Sequence, residues 1–466
     1  MVYIIVRAFT VDITYDEYGS YLYLIDLSFI DLFTSDAAWG SANNHVINTI
    51  CMQIGNGLLG PEVAAMRWGN VVAGIFYFIF GYRLINLLHP ERDYKFLILF
   101  FILISVHFGL EFFSLARGYG MVYAMSMALI YYFLKFSQDG STRYFNYGSL
   151  LVCFGLFINL TTSILFASWF VSTFMIYMIS QKISFVAYLK KLLKISPAIL
   201  LTFGVFIKPL SILSKHGEFE YGPEDFTDTF YSLFNNLIAH NHLFKIWDIY
   251  NISAVIFGTM FFGIIIYAIS TVRSAHWSNS QKYLFYSVGF FVITLVINIL
   301  THNLTKANYL TGRTAILYFP LIMTVIVCFI NSIENTLLKN ACLITVATFS
   351  MYCALLQIKL KSCDEWWFDI ESKEMAQSLM QDNGKDRPAL VSGDWLMMAS
   401  PNFYLKREGY ENIRLENRNI NTEADFTVDP TEVKYILIFN NNLSHLKNKY
   451  TTVRKGNLAE LVRIDK

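Results

Sequence analysis

Residues 68–88 read WGNVVAGIFYFIFGYRLINLL, a stretch of twenty-one with one charge, Arg83. Crossing the hydrocarbon of a bilayer as a helix takes roughly 20 apolar residues, so this run predicts a transmembrane span. Working outward, similar runs lie near 96–110, 119–136, 147–160, 163–180, 195–213, 252–271, 283–300, 314–331 and 341–359, which makes about ten. The whole 466-residue chain agrees, being 55% hydrophobic, 17% aromatic and 15% charged. That composition, with its positive mean hydropathy, makes lipid the solvent for most of the chain. A net charge of +1 supplies no global field for nucleic acid, and none is expected as a partner. The six cysteines, at 51, 153, 328, 342, 353 and 363, form no CxxC pair and lie mostly in or beside apolar runs. They read as small core residues, and no spacing calls for a metal site.

The loops set the orientation. If residues 1–67 lie outside the cytoplasm, twelve cations fall in five cytoplasmic loops: Arg83, Arg92, Lys95, Lys135, Arg143, Lys182, Lys190, Lys191, Lys194, Arg273, Lys282 and Lys339. The opposite loops hold five, Arg117, Lys215, Lys245, Lys306 and Arg313, and segment 214–251 adds Glu218, Glu220, Glu224, Asp225, Asp228 and Asp248. The positive-inside rule then places 1–67, 214–251 and the C-terminal tail on the outer side. Residues 1–10, MVYIIVRAFT, are too short to cross a bilayer or to form a cleavable signal. A helix missing ahead of them is therefore expected; a segment lying at the interface is the plainer alternative. After residue 360 charges recur every few residues, and Trp366-Trp367 stand where an interfacial anchor belongs. A separate small α/β domain is expected there, with FDIESKEMAQSLMQ helical, PALVSGDW and YILIF as strands, and a terminal hairpin turning near Gly456. The expected organisation is a first outer loop (1–67), a transmembrane helical domain (68–360) and an outer α/β domain (361–466).

Four polar clusters on the inferred outer side could carry chemistry. YDEYGSYLYLIDLSFIDLF at 15–33 places Asp16 and Glu17 ahead of an amphipathic, interface-seeking segment that holds Asp26 and Asp31. A solvated surface pair is the plain reading. SANNHVINTI at 41–50 offers Asn43 or Asn44 as the cap of a helix whose first turn holds His45, and a His there can also hydrogen-bond a phosphate or hydroxyl. EFFSLARGYG at 111–120 carries Arg117 beside Tyr119, which fits headgroup snorkelling or a bound anion equally. THNLTKANYLTGRT at 301–314 puts His302, Lys306, Tyr309 and Arg313 before a span. Lys306 and Arg313 break the positive-inside trend and suit an anion or a lipid phosphate.

In this order the DE pair, NNHVINT at 43–49, Arg67, ARGYG at 116–120 and a basic loop ending in Arg313 resemble bacterial relatives of the dolichyl-phosphate-mannose protein mannosyltransferases. These are polytopic GT-C glycosyltransferases, with the lipid A aminoarabinose transferase as a cousin. The resemblance is best over the first 130 residues, recurs at 301–320 and is weak in the C-terminal domain. It implies a mainly α fold, a GT-C type transmembrane bundle with a small C-terminal α/β domain, in the bacterial inner membrane. It also implies inverting transfer of a sugar from a polyprenyl-phosphate donor to an envelope acceptor (lipid, glycan or protein) on the extracytoplasmic side, with membrane lipids around it. Asp16 is then the base and Glu17 its support. His45, Asn44, Arg67, Arg117, Tyr119, Lys306 and Arg313 are then substrate-binding residues. A divalent metal near the carboxylates is compatible with this chemistry, though no spacing demands one. A polytopic transporter or a non-catalytic envelope-assembly protein is the competing reading; a transporter calls for internal repeats and midplane Gly or Pro breaks, and no repeat is seen.

Overall fold

A computed structural model describes residues 1–179, 185–219, 222–238, 247–271, 277–416 and 425–465, with backbone only over 247–254. Lys182, Glu220, Lys245 and Arg273 lie outside the described residues. The helices in chain order are α1 Val2–Thr10, α2 Tyr15–Leu24, α3 Asp31–Thr34, α4 Asp36–Trp39, α5 Val46–Leu59, α6 Val63–Met66 and α7 Trp68–Leu88. There follow α8 Tyr94–Ile104, α9 His107–Glu111, α10 Tyr119–Asp139, α11 Thr142–Ile158, α12 Ser163–Ile179, α13 Phe185–Lys215 and α14 Phe226–Leu237. The last are α15 Trp247–Thr271, α16 Asn279–Thr305, α17 Tyr318–Ser332, α18 Thr336–Gln357, α19 Ser372–Asn383 and α20 Ala399–Arg407. The chain divides into two units. One holds residues 1–4, 26–52 and 67–358; the other holds 5–25, 53–66 and 359–466.

Among the described residues each of the ten apolar runs falls largely on helix, and the chain is a multi-pass membrane protein. Among the described residues six helical stretches are long and apolar enough to cross a bilayer, and α8 with α9 makes a seventh if the pair, bent by 72°, is one span. The shortfall from ten has a physical cause. α11 has 17 residues, and the apolar part of α15 is Val255–Thr271. α10 carries Tyr119, Tyr123, Tyr131 and Tyr132, and is buried along nearly its whole length. A helix surrounded by protein need not be apolar all round, because its partners rather than lipid solvate it. α10 packs on α7, α11 and α17. Tyr123 stacks on Tyr77 with centroids 4.5 Å apart, and their hydroxyls are 3.0 Å apart. α13 is longer than its apolar run, 31 residues with Pro197 and Pro209 inside, so Lys190, Lys191 and Lys194 ride on helix rather than in a loop.

Close helix approach depends on small residues at several points. A Cβ on Gly148 would lie 2.2 Å from the ring of Trp169, which is fully buried and donates its indole N–H to Ser149 at 3.0 Å. Gly148→Ala should destabilise the helical unit by about 1–3 kcal/mol through overpacking. Thermal unfolding in detergent measures it, and an unchanged midpoint would mean the α11–α12 contact has room to spare.

The other unit carries a five-stranded sheet, ordered β2-β1-β3-β5-β4: β1 Ala389–Gly393, β2 Ile413–Glu416, β3 Tyr435–Phe439, β4 Tyr450–Lys455 and β5 Ala459–Ile464. β1 runs parallel to β2 and β3, while β5 is antiparallel to β3 and β4. The anticipated helix, two strands and terminal hairpin are all present; α20 and β2 were not anticipated. Val391 and Ile436 are fully buried, as expected where helices cover a sheet. The six cysteines are free thiols.

Candidate active site

In the helical unit, two of the sequence clusters and part of a third meet. Arg117 and Tyr119 stand at the start of α10, His45 directly precedes α5, and Arg313 lies in the first turn of a short 3-10 segment, Gly312–Leu317, that leads into α17. The guanidinium carbons of Arg117 and Arg313 lie 5.9 and 6.0 Å from the Tyr119 ring centroid. The His45 ring meets Tyr119 edge-on at 5.0 Å. Arg117 is fully buried and donates from Nη2 to Asn43 Oδ1 at 2.9 Å. Burial, with Arg117 and Arg313 beside it, holds His45 well below the ordinary imidazole range, so the ring is neutral. Among the described residues its buried Nε2 has no hydrogen-bond partner. Two guanidinium groups, a neutral imidazole and the positive end of a 21-residue helix suit a multiply charged anion with several acceptor oxygens.

The local sequence explains the assembly. Asn48 donates to the Ala116 carbonyl at 2.8 Å, and Asn70 donates to Asn48 Oδ1 at 2.7 Å, tying α5, the 116–120 turn and α7 together. A Cβ on Gly118 would fall 2.8 Å from the Ile158 carbonyl and 2.9 Å from His45 Cβ; one on Gly120 would fall 2.6 Å from the Phe112 carbonyl. Both glycines in ARGYG are therefore packing requirements. The geometry adds Asn43, expected only as a helix cap, and Asn48, which the sequence showed only inside the NNHVINT stretch.

The remaining helical-unit candidates divide. Asn44 is committed to the loop, donating to the Leu32 carbonyl at 3.0 Å and accepting from Thr49 Oγ1 at 3.4 Å. Arg67 is fully buried at the N-cap of α7. Lys306 is exposed and ends α16 in the left-handed conformation, φ 62°; among the described residues its ammonium makes no hydrogen bond or ion pair. The loop it begins is held elsewhere, Asn308 and Tyr309 donating backbone N–H groups to the Phe219 and Pro223 carbonyls at 2.9 and 3.0 Å.

Asp16 and Glu17 belong to the other unit. They lie inside the first turn of α2, not ahead of a helix as expected. Thr14 caps that helix, its Oγ1 accepting from the Glu17 N–H at 3.3 Å while Glu17 Oε2 accepts from the Thr14 N–H at 2.8 Å. Thr14-x-x-Glu17 is the capping-box pattern, legible in sequence but overlooked. Asp26 lies beyond α2, which ends at Leu24, and Asp31 opens the separate α3.

This turn is gripped by the C-terminal domain. Asp369 Oδ2 accepts the Tyr15 N–H at 2.7 Å, and Oδ1 accepts from Ser400 Oγ at 2.6 Å. Asn402 donates to the Tyr18 hydroxyl at 2.8 Å, and Tyr404 Oη accepts the Ile13 N–H at 3.0 Å. Burial pushes the Asp369 carboxyl well above the usual range, with the charges of Glu17 and Asp16 adding to the rise and the bonds from Ser400 and Tyr15 opposing it. Because folded Asp369 binds its proton more tightly than the unfolded chain does, its stabilisation is complete below the ordinary Asp value of about 4. It is lost as pH rises through the raised value. Asp369→Asn should flatten the fall in melting temperature as pH rises above the carboxylate range; an unaltered slope would assign that fall to other groups.

A cluster at the far end of the helical unit could in principle hold a metal: ligand atoms of His89, Glu91 and Asp93 lie within 4.8 Å of one another. Asp93 Oδ1, however, already accepts from the Lys95 and Phe96 N–H groups at 2.9 and 3.2 Å and contacts His89 Nε2 at 2.8 Å, which accounts for it as a helix cap.

No family model matches the chain, and no curated protein matches it. Among solved structures, ArnT from Cupriavidus metallidurans bound to undecaprenyl phosphate is similar over 99% of this chain and 96% of that one, with a TM-score of 0.52 at 10% sequence identity. The same protein in the apo state gives a TM-score of 0.46 over the same shares. At this identity the likeness is one of fold. The chain has the fold of an aminoarabinose transferase, a GT-C type helical bundle with a C-terminal α/β domain.

Proposed function

We propose that this chain is a membrane glycosyltransferase that moves one sugar from a polyprenyl-phosphate donor to an envelope acceptor on the extracytoplasmic side of the bacterial inner membrane. The observation that carries the reading is the pair of guanidinium groups flanking Tyr119 beside the neutral, buried His45, in a fold like that of a protein bound to undecaprenyl phosphate. Breaking the anomeric C–O bond leaves its electron pair on the phosphate oxygen, and Arg117 and Arg313 stabilise that growing charge. His45 donates or accepts a hydrogen bond at the phosphate or sugar through Nε2. Asp16 takes the proton from the attacking acceptor hydroxyl, and Glu17 supports it by closing the cap of α2. With no enzyme nucleophile in the sequence of events, the anomeric centre inverts. Arg67 and Lys306 are assigned secondary substrate contacts, and Asn44 acts through the loop it holds.

Mass spectrometry of envelope lipids, glycans and glycoproteins from cells with and without this chain tests the reading. One class of molecule should lose a single sugar increment. Identical profiles under conditions where the protein is expressed would count against it.

A further inference from the structure

At the opposite end of α10 from Tyr119, about 30 Å away at 1.5 Å per residue, the helical unit has a partly open cavity of about 630 Å³. It lies where the ends of α7 and α10 meet the starts of α11 and α16. Arg83, Lys135, Tyr131, Tyr144, Tyr283 and Gln138 line it, and no carboxylate does among the described residues. Arg83 makes no hydrogen bond or ion pair among those residues, and its guanidinium carbon lies 5.5 Å from the Phe80 ring centroid. Lys135 Nζ donates to Gln138 Oε1 at 3.4 Å. The hydroxyls of Tyr131, Tyr144 and Tyr283 have no hydrogen-bond partner among the described residues. The rim is fixed, since Asn331 Nδ2 donates both to the Leu88 carbonyl at 2.6 Å and to Ser280 Oγ at 3.2 Å, and Leu88 and Ser280 both line the cavity.

We propose that this cavity binds a phosphate-bearing anion, separately from the donor site. A planar guanidinium fork, a movable ammonium and three phenol hydroxyls share one lining that itself holds no carboxylate, with Asp139 near Tyr283, and this is the donor set a phosphate needs. The volume suits a headgroup or a small phosphate ester. Position favours the lipid source: this end of the bundle carries the excess of loop cations, and basic pockets between helices on that face bind anionic headgroups.

The test uses the full chain in phosphatidylcholine vesicles doped with phosphatidylglycerol, with lipid retained through detergent extraction counted by native mass spectrometry. Wild type should keep phosphatidylglycerol in preference to phosphatidylcholine. The Arg83→Ala/Lys135→Ala variant should hold it about thirtyfold more weakly, given the roughly fivefold factor each surface cation supplies. Lys282→Ala, exposed at the same end but outside the cavity, should match wild type. Tyr144→Phe removes one hydroxyl and should weaken retention a few-fold, which keeps the test readable if the double variant unfolds. Displacement of phosphatidylglycerol by millimolar inorganic phosphate would assign a soluble source to the same phosphate chemistry. Equal retention of both lipids without displacement, or a folded double variant that binds as wild type does, would overturn the proposal.

Discussion

Asp16→Asn should abolish sugar transfer while leaving the protein folded. The side chain is 8% exposed in a helix turn that the Thr14–Glu17 cap and the Tyr15–Asp369 bond both fix. The amide keeps the shape of the carboxylate but cannot accept the acceptor's proton. A positioned general base contributes about 10²–10⁴-fold, so turnover with donor and acceptor both saturating should fall by that factor. Full activity in a folded Asp16→Asn protein would remove it from the role of base. Glu17→Gln offers a contrast, because a glutamine at the same place still closes the capping box on Thr14, and it should slow turnover far less.

Arg117→Ala carries the second large effect. Removing a buried guanidinium leaves Asn43 Oδ1 without its donor and takes half the positive charge from beside Tyr119. Losing one partner of a buried, hydrogen-bonded charge contact costs about 2–5 kcal/mol, so donor use measured as kcat/KM should drop about thirty-fold or more. Arg117→Lys should recover little, because an ammonium cannot reproduce the fork that spans Asn43 and an anion. Arg313→Ala, at a less buried position, should act mainly through a weaker donor KM. A folded Arg117→Ala protein with wild-type donor kinetics would refute the phosphate assignment.

Lipid as solvent made the helical architecture legible, since a run such as 68–88 has one economical conformation in hydrocarbon. The strands of the C-terminal domain were legible for a similar reason: YILIF between polar segments buries both faces, as Tyr435, Ile436, Leu437 and Ile438 do. What local pattern cannot encode is pairing over long separations. Nothing in the neighbourhood of Asp369 announces that it holds Tyr15, 354 positions away, or that residues 5–25 and 53–66 cluster with the C-terminal domain. The Arg117–Asn43 bond, spanning 74 positions, escaped for the same reason, although both residues stood in clusters already singled out. Lys306 shows how one placement carries two meanings, because a cation that breaks the loop trend is also a favourable end for a helix, and that is the place it takes after α16.

The central claim is that the Arg117–Tyr119–Arg313 group receives the phosphate of a polyprenyl-linked sugar and that the chain transfers that sugar. The most direct measurement is release of polyprenyl phosphate from a radiolabelled panel of polyprenyl-phosphate sugars by purified protein in the presence of envelope extract, with the Arg117→Ala protein run alongside. The account predicts that one donor yields free polyprenyl phosphate in step with labelled product, and that the variant yields little of either. Saturable binding of no donor in the panel, or release that is indifferent to Arg117, would contradict it.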